Sequence, residues 1–168
     1  MTRIGFTGHQ NLTVAARRIV AQAIAARIAA VKGEKLIGRT SLAEGADQLF
    51  AFATLAAGGE LHVIIPSEGY ESSFRSHHPR KTYQALLRLA TDSSTLPFPA
   101  PSDDAYMAAG RELVDGSDVL IAVWDGQRAA GKGGTADVVA YARDRGLNVD
   151  VIWPSGATRD VAASSTKG

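Results

Sequence analysis

Apolar residues along this chain form short continuous runs that alternate with longer stretches of helical spacing. The short runs are rich in β-branched residues and bounded by glycine, proline or polar residues, as in buried strands of a parallel sheet. The longer stretches place apolar residues three or four positions apart, as an amphipathic helix does. The pattern predicts strands at 3–7, 36–40, 61–65, 94–98, 119–124 and 148–153, and helices at 14–32, 81–89 and 103–115, with further helices ending at Gly58 and near Arg145.

Regular alternation of strands and helices predicts an α/β protein, a three-layer α/β/α sandwich with a mostly parallel central sheet. The first strand and the strand at 119–124 are expected at its centre. Ligands of such sheets bind beyond the carboxyl ends of the strands, where the winding reverses. We expect one domain over residues 1–155 and a loosely ordered tail over 156–168, which is rich in serine, threonine and alanine.

A glycine-rich segment, Gly131-Lys132-Gly133-Gly134-Thr135, lies between the strand at 119–124 and the helix that follows. The first N–H groups of a helix lack partners within it, and the helix dipole adds positive charge there. Glycine lets an anion approach the backbone, Lys132 adds a charge, and Thr135 is placed to cap the helix or to bind an oxygen. The segment predicts a phosphate site, although a flexible loop with a glycine turn has the same composition. It is neither a P-loop nor G-x-G-x-x-G.

Other candidate ligand contacts follow the predicted strands. Gly8 and His9 come after the first strand, with local packing as the alternative for His9. Asp125 and Gly126 end the strand at 119–124, where Asp125 is suited to a ribose hydroxyl or a metal ion, although an Asp-Gly turn needs no ligand. Two residues close the second strand and are candidates for contact with a base or a phosphate: Arg39 and Thr40.

Ser41 and Glu44 have the spacing of a capping box, in which both side chains bind backbone N–H groups at the start of a helix. This interpretation is favoured over ligand contact by Glu44. Asp47, one turn later, is predicted to bind the backbone of the same loop.

Composition narrows the classes of function. The chain has 168 residues and a formal net charge of +1, so nucleic acid is not an expected partner. It has no cysteine, which excludes disulfides, thiolate catalysis and a cysteine zinc site. The polar N-terminus lacks the features of a signal peptide, and no apolar run suits a membrane span. We expect a cytoplasmic protein with no cofactor, no structural metal and no membrane partner.

Three segments taken together resemble the SLOG superfamily, which includes DprA and the Lonely Guy (LOG) phosphoribohydrolases. They are Gly5-Phe6-Thr7-Gly8-His9, then Ser41-Leu42-Ala43-Glu44-Gly45-Ala46-Asp47, then 117–136 with its Gly-Lys-Gly-Gly-Thr-Ala. The resemblance covers residues 3–153. It implies a Rossmann-like fold, a nucleotide or nucleotide-derived ligand, and a homodimer.

The LOG motif Pro-Gly-Gly-x-Gly-Thr-x-x-Glu carries a glutamate that acts on the glycosidic bond. When Gly134 and Thr135 are aligned with its Gly-Thr, Val138 falls at the glutamate position. Asp137 lies one residue earlier, about 100° away around the helix. This departure favours a module that binds a nucleotide without chemistry. The alternative is a phosphoribohydrolase that cleaves the N-glycosidic bond of a nucleoside monophosphate, with Asp137 and Glu44 as catalytic residues.

Overall fold

The computed structural model describes residues 1–31, 33–128 and 133–160. None of the helices in these ranges is both long enough and apolar enough to cross a membrane. The strands are β1 (Thr2–Gly8), β2 (Leu36–Thr40), β3 (Glu60–Ile65), β4 (Asp92–Thr95), β5 (Val119–Val123) and β6 (Asn148–Ile152). The α-helices are α1 (Val14–Ala29), α2 (Ala46–Ala56), α3 (His77–Leu89), α4 (Asp103–Asp115) and α5 (Thr135–Asp144), with a 3₁₀ turn at Tyr70–Ser73.

All strand pairs of the sheet are parallel, and the strand order is β4-β3-β2-β1-β5-β6. The chain winds outward from β1 to β4 and then returns to place β5 on the other side of β1. The winding therefore reverses between β1 and β5, which is where such sheets bind ligands. The predicted α/β class, parallel sheet and central strand pair are confirmed.

Helices cover both faces of the sheet. The side chains of Ile121 and Val123 on β5 pack into the core shared with α1 and α2, whereas Leu120 packs against α4 and α5. Phe6 of β1 and Phe50 of α2 stack at 4.5 Å between ring centroids, and both are fully buried. Each strand thus presents apolar side chains to two helical layers, as its continuous apolar run predicts.

Helices α1 and α4 each begin with a side-chain cap. The Ala16 N–H donates to Thr13 Oγ1 at 3.2 Å, and the Ala105 N–H donates to Ser102 Oγ at 3.1 Å. The predicted capping box of Ser41 and Glu44 is wrong, because α2 begins only at Ala46 and its N-cap is Gly45.

Some boundaries differ from the pattern-based prediction. Helix α3 begins at His77 rather than at 81, because Pro79 occupies its first turn, where the missing N–H costs nothing. The fourth strand lies at Asp92–Thr95 rather than at 94–98, which places it before Pro97. Helix α1 ends at Ala29 instead of continuing to 32.

The segment after β6 packs on the loop that follows β1. Leu12 and Arg159 form an antiparallel bridge, and the Asp160 N–H donates to the Asn11 carbonyl at 2.6 Å. Arg159 Nε also donates to Asn11 Oδ1 at 2.9 Å. Residues 159 and 160 of the predicted tail are therefore held against this loop, and the rest of that prediction, residues 161–168, lies outside the described residues.

Candidate functional site

A cavity of about 780 Å³ opens at the carboxyl edge of the sheet, within the size range of small-molecule sites. Gly8 at the end of β1 forms part of its lining, between the loop after β2 and the start of α5. The segment after β3 and one face of α4 contribute further walls. The cavity therefore lies at the reversal of the winding, as the topology predicts.

The start of α5 faces this cavity. Gly134 is the N-cap with extended backbone (φ −76°), which excludes capping, the first of the two alternative roles predicted for Thr135. The Gly133 N–H donates to Asp137 Oδ2 at 2.9 Å, so this amide of the loop already has an acceptor on the helix itself. Within the described ranges, no acceptor takes the N–H groups of Thr135 and Ala136. Two donors of the first turn remain available.

Gly133 needs the absence of a side chain for two reasons. Its φ of +84° lies in the left-handed region, and a Cβ would lie 2.8 Å from the Met107 backbone nitrogen and 2.9 Å from Tyr106 Cβ. The loop before α5 is therefore pressed against α4, which fixes where the free amides point. Lys132, the predicted positive charge of this loop, lies outside the described residues.

The loop after β2 is held by buried polar groups. Thr40 is fully buried, and its Oγ1 accepts the Leu42 N–H at 3.1 Å. Asp47 Oδ2 accepts the Ala43 N–H at 3.2 Å, which confirms that Asp47 binds this loop. Thr40 does not line the cavity, whereas Asp47 and Glu44 do. No described residue donates a hydrogen bond to the Glu44 carboxylate.

The charge of Asp47 is costly to bury. Burial raises the pKa of Asp47 to about 7, although hydrogen bonds from the Ala43 N–H, the Thr40 hydroxyl and the Ser41 N–H act in the opposite direction. Because the folded pKa lies above the unfolded one, the native state binds the additional proton between pH 4 and 7. Stability contributed by protonation is therefore present at low pH and lost as pH rises through 7.

We expect Asp47→Asn to flatten the pH dependence of the free energy of unfolding between pH 4 and 8. In the wild type this carboxyl lowers that free energy by at most about 4 kcal/mol as pH rises over the interval. Urea denaturation at several pH values measures the slope for both proteins. An unchanged slope in the variant would show that Asp47 titrates in its ordinary range.

His9 and Asp125 form a buried contact beside the cavity rather than in its lining. His9 Nε2 accepts the Asp125 N–H at 3.0 Å, and the His9 ring meets the edge of Trp153. Burial and the nearby charge of Arg159 lower the pKa of His9, against the opposite effect of Asp125. Asp125 Oδ2 also lies 3.4 Å from Arg159 Nη1. The structure thus places His9 in local packing, and Gly126 in a turn with φ +83° outside the lining.

Arg39 is also directed away from the cavity. Its Nη2 donates to the Glu112 carbonyl at 3.2 Å and lies 3.8 Å from Glu112 Oε1. Its guanidinium packs against Gly116 at the end of α4. The structure therefore separates the sequence-predicted residues into two groups. The cavity lining contains Gly8, Glu44, Gly133, Gly134 and Thr135, and it does not contain His9, Arg39, Thr40, Asp125 and Gly126.

The sequence reasoning did not predict the aromatic wall of the cavity. Tyr70, Phe74 and Tyr106 line the cavity, and Tyr70 meets Phe74 at 5.5 Å and Tyr106 at 6.5 Å between centroids. The available signal was the presence of Tyr70 and Phe74 in a segment without strand or helix periodicity. Burial and the Asp47 charge raise the pKa of Tyr70 well above its ordinary value.

Solved structures with the same fold extend this description. DNA processing protein A (DprA) from Streptococcus pneumoniae superposes with a TM-score of 0.65 at 16% identity, over 93% of this chain and 52% of that one. DprA from Helicobacter pylori gives 0.64 at 16% identity, over 94% and 68%. The structural-genomics target TM1055 gives 0.57 at 18% identity, over 89% and 72%. No protein-family model and no curated protein matches the sequence.

These matches confirm the resemblance at the level of the fold: the chain has the Rossmann-like architecture of the DprA domain. It spans about half the length of the Streptococcus protein. The expectation that nucleic acid is not a partner is corrected, since the Helicobacter DprA of this fold binds single-stranded DNA. A net charge of +1 was too weak a basis for that exclusion, because it averages over the whole surface. The homodimer stays a prediction.

Proposed function

We propose that the cavity binds a nucleotide or a nucleotide-derived molecule, with a phosphate held by the N–H groups of Thr135 and Ala136 at the start of α5. The observation that carries this proposal is the position of this helix start, whose first-turn amides adjoin a cavity at the winding reversal. Because residues 133 and 134 are glycines, no side chain covers the backbone here, and an anion can reach it.

Hydrogen bonding and the helix dipole favour an anion at this place, against the opposing charge of Asp137 in the first turn of α5. The two N–H groups are donors that the helix cannot satisfy, and its dipole adds about half a positive charge. Asp137 already binds the Gly133 N–H, so the phosphate is expected on the amides of Thr135 and Ala136. The hydroxyl of Thr135, a buried residue that lines the cavity, is a further donor near the same position.

The aromatic wall suits the planar part of such a ligand. Tyr70, Phe74 and Tyr106 lie on the side of the cavity formed by the segment after β3 and by α4. Nucleobases stack on aromatic side chains with little dependence on base identity, at about 1–3 kcal/mol per base. The wall therefore supports a ligand with a base, while the choice among bases stays open.

Isothermal titration calorimetry tests the proposal against ribose 5-phosphate, the four nucleoside 5′-monophosphates, cyclic and dinucleotide ligands, and a short oligothymidylate. We expect binding of at least one phosphate compound, and loss of that binding when the same compound lacks its phosphate. The oligothymidylate is included because the Helicobacter DprA, which has the same fold, binds single-stranded DNA. Absence of heat with every phosphate compound would contradict the proposal.

A second candidate is hydrolysis of the N-glycosidic bond of a nucleoside monophosphate. It is favoured by two carboxyl groups in one cavity, Glu44 and Asp47, of which Asp47 has a pKa of about 7, suited to proton transfer. Asp137 is less suitable, because it does not line the cavity. Chromatography of the same nucleotide panel after incubation would detect free base. Turnover that persists in Glu44→Gln and in Asp47→Asn would exclude both carboxyls as the catalytic groups.

A further inference from the structure

We propose that Glu44 binds the 2′- and 3′-hydroxyl groups of the ligand's sugar, so that the site selects ribose over deoxyribose. This inference rests on the proposed phosphate site at α5 and deepens it by naming the class of ligand. The observation that carries it is that the Glu44 carboxylate, which accepts no hydrogen bond from a described residue, lies in the same cavity as the start of α5. Gly8 of β1 lies between the two elements.

The position of Glu44 follows from the topology. It lies four residues after the end of β2, and β2 is the neighbour of β1 on the side away from β5. The loops after β5 and β2 are thus two strand spacings apart, about 10 Å across the sheet edge. In dinucleotide-binding sheets of this winding, an acidic residue near the end of the second strand binds the ribose hydroxyls. Glu44 would likewise accept hydrogen bonds from the ribose hydroxyls through its carboxylate.

The loop that carries Glu44 is fixed before any ligand binds. Leu42 is fully buried with φ +56°, the one non-glycine residue with positive φ in the described ranges, and its N–H is bound by Thr40. Asp47 binds the Ala43 N–H, and the Ala46 N–H donates to the His9 carbonyl at 3.2 Å. Strained backbone held by its surroundings is typical of functional loops. Glu44 therefore acts from a preorganised position.

Charge determines which part of the ligand lies against Glu44. An ionised carboxylate accepts hydrogen bonds and donates none, so hydroxyl groups suit it and a phosphate is repelled. The start of α5 has the opposite preference. A ribose phosphate with its phosphate on α5 and its diol on Glu44 satisfies both preferences.

The test compares ribose 5-phosphate with 2-deoxyribose 5-phosphate, and AMP with 2′-deoxy-AMP, by calorimetry on the full chain. The base-free pair isolates sugar and phosphate, so the result does not depend on which base the site prefers. We expect the ribose compound of a pair to bind about tenfold to a hundredfold more tightly, the size of a hydrogen bond to a charged group. In Glu44→Ala this ratio should fall to about one, through loss of affinity for the ribose compound.

Glu68→Gln is the matched control, because it removes the same charge from an exposed position outside the cavity lining. It should retain the wild-type ratio, which excludes a general effect of net charge. Equal affinity of the wild type for ribose and deoxyribose compounds would overturn the inference and leave the phosphate site standing. Failure of every phosphate compound to bind would overturn the phosphate site, and the inference with it.

Discussion

Gly134→Val is expected to lower the affinity for any phosphate ligand at least about a hundredfold, the value of two hydrogen bonds to a charged group. Gly134 lines the cavity as the N-cap of α5, directly before the two available N–H groups. A branched side chain there would prevent a phosphate from reaching them. The backbone of Gly134, at φ −76° and ψ 177°, is an extended conformation that valine adopts readily. We therefore expect the variant to fold, with a loss of about 1 kcal/mol at the cap and a further loss from placing a larger side chain at a buried position.

Ala140→Val is the matched control for this substitution. It adds a branched side chain to the same helix at an exposed position away from the cavity. Its ligand affinity should equal that of the wild type, and its circular dichroism spectrum should match that of Gly134→Val. Calorimetry with the tightest-binding phosphate compound gives the comparison. Wild-type affinity in Gly134→Val would show that the phosphate lies elsewhere in the cavity.

Sequence pattern was sufficient for the architecture because burial on both faces leaves a strong signal. The run at 119–123 is apolar at every position, and β5 has helices against both of its faces. Boundaries were less predictable where local rules compete. The prolines after Thr95 disfavour a strand, but they do not prevent β4, because its pairing with β3 ends just before them. Similarly, Pro79 suggests a helix boundary, although it lies inside the first turn of α3.

The candidate site was only partly predictable from the sequence, because a residue near a strand end can point to either side of the edge. Gly8 and His9 are neighbours, yet Gly8 lines the cavity and His9 packs against Trp153. The capping-box spacing of Ser41 and Glu44 was misleading for a tertiary reason. The turn at Gly45 is determined by contact with the loop after β1, which sequence spacing does not report. Glu44 is therefore available to the cavity.

Gly45→Ala is expected to lower the free energy of unfolding by more than about 3 kcal/mol, because it combines conformational strain with overlap against rigid backbone. Gly45 has φ +91°, and a Cβ would lie 2.6 Å from the Gln10 carbonyl oxygen and 2.7 Å from the His9 carbonyl oxygen. Neither atom belongs to a side chain that could rotate away. The loop after β2 must shift, so Glu44 should also lose its position, and the ribose to deoxyribose affinity ratio should fall with stability.

Gly58→Ala separates the two causes of this loss. Gly58 also has positive φ, at +76°, but a Cβ there would meet no atom within 4 Å. Its cost should be the conformational strain alone, about 1 kcal/mol, with the affinity ratio unchanged. Urea denaturation of both variants and the wild type gives the two differences. Equal losses of unfolding free energy in Gly45→Ala and Gly58→Ala would mean that the loop after β2 shifts at no cost. Its contact with the loop after β1 would then not hold Glu44 in place.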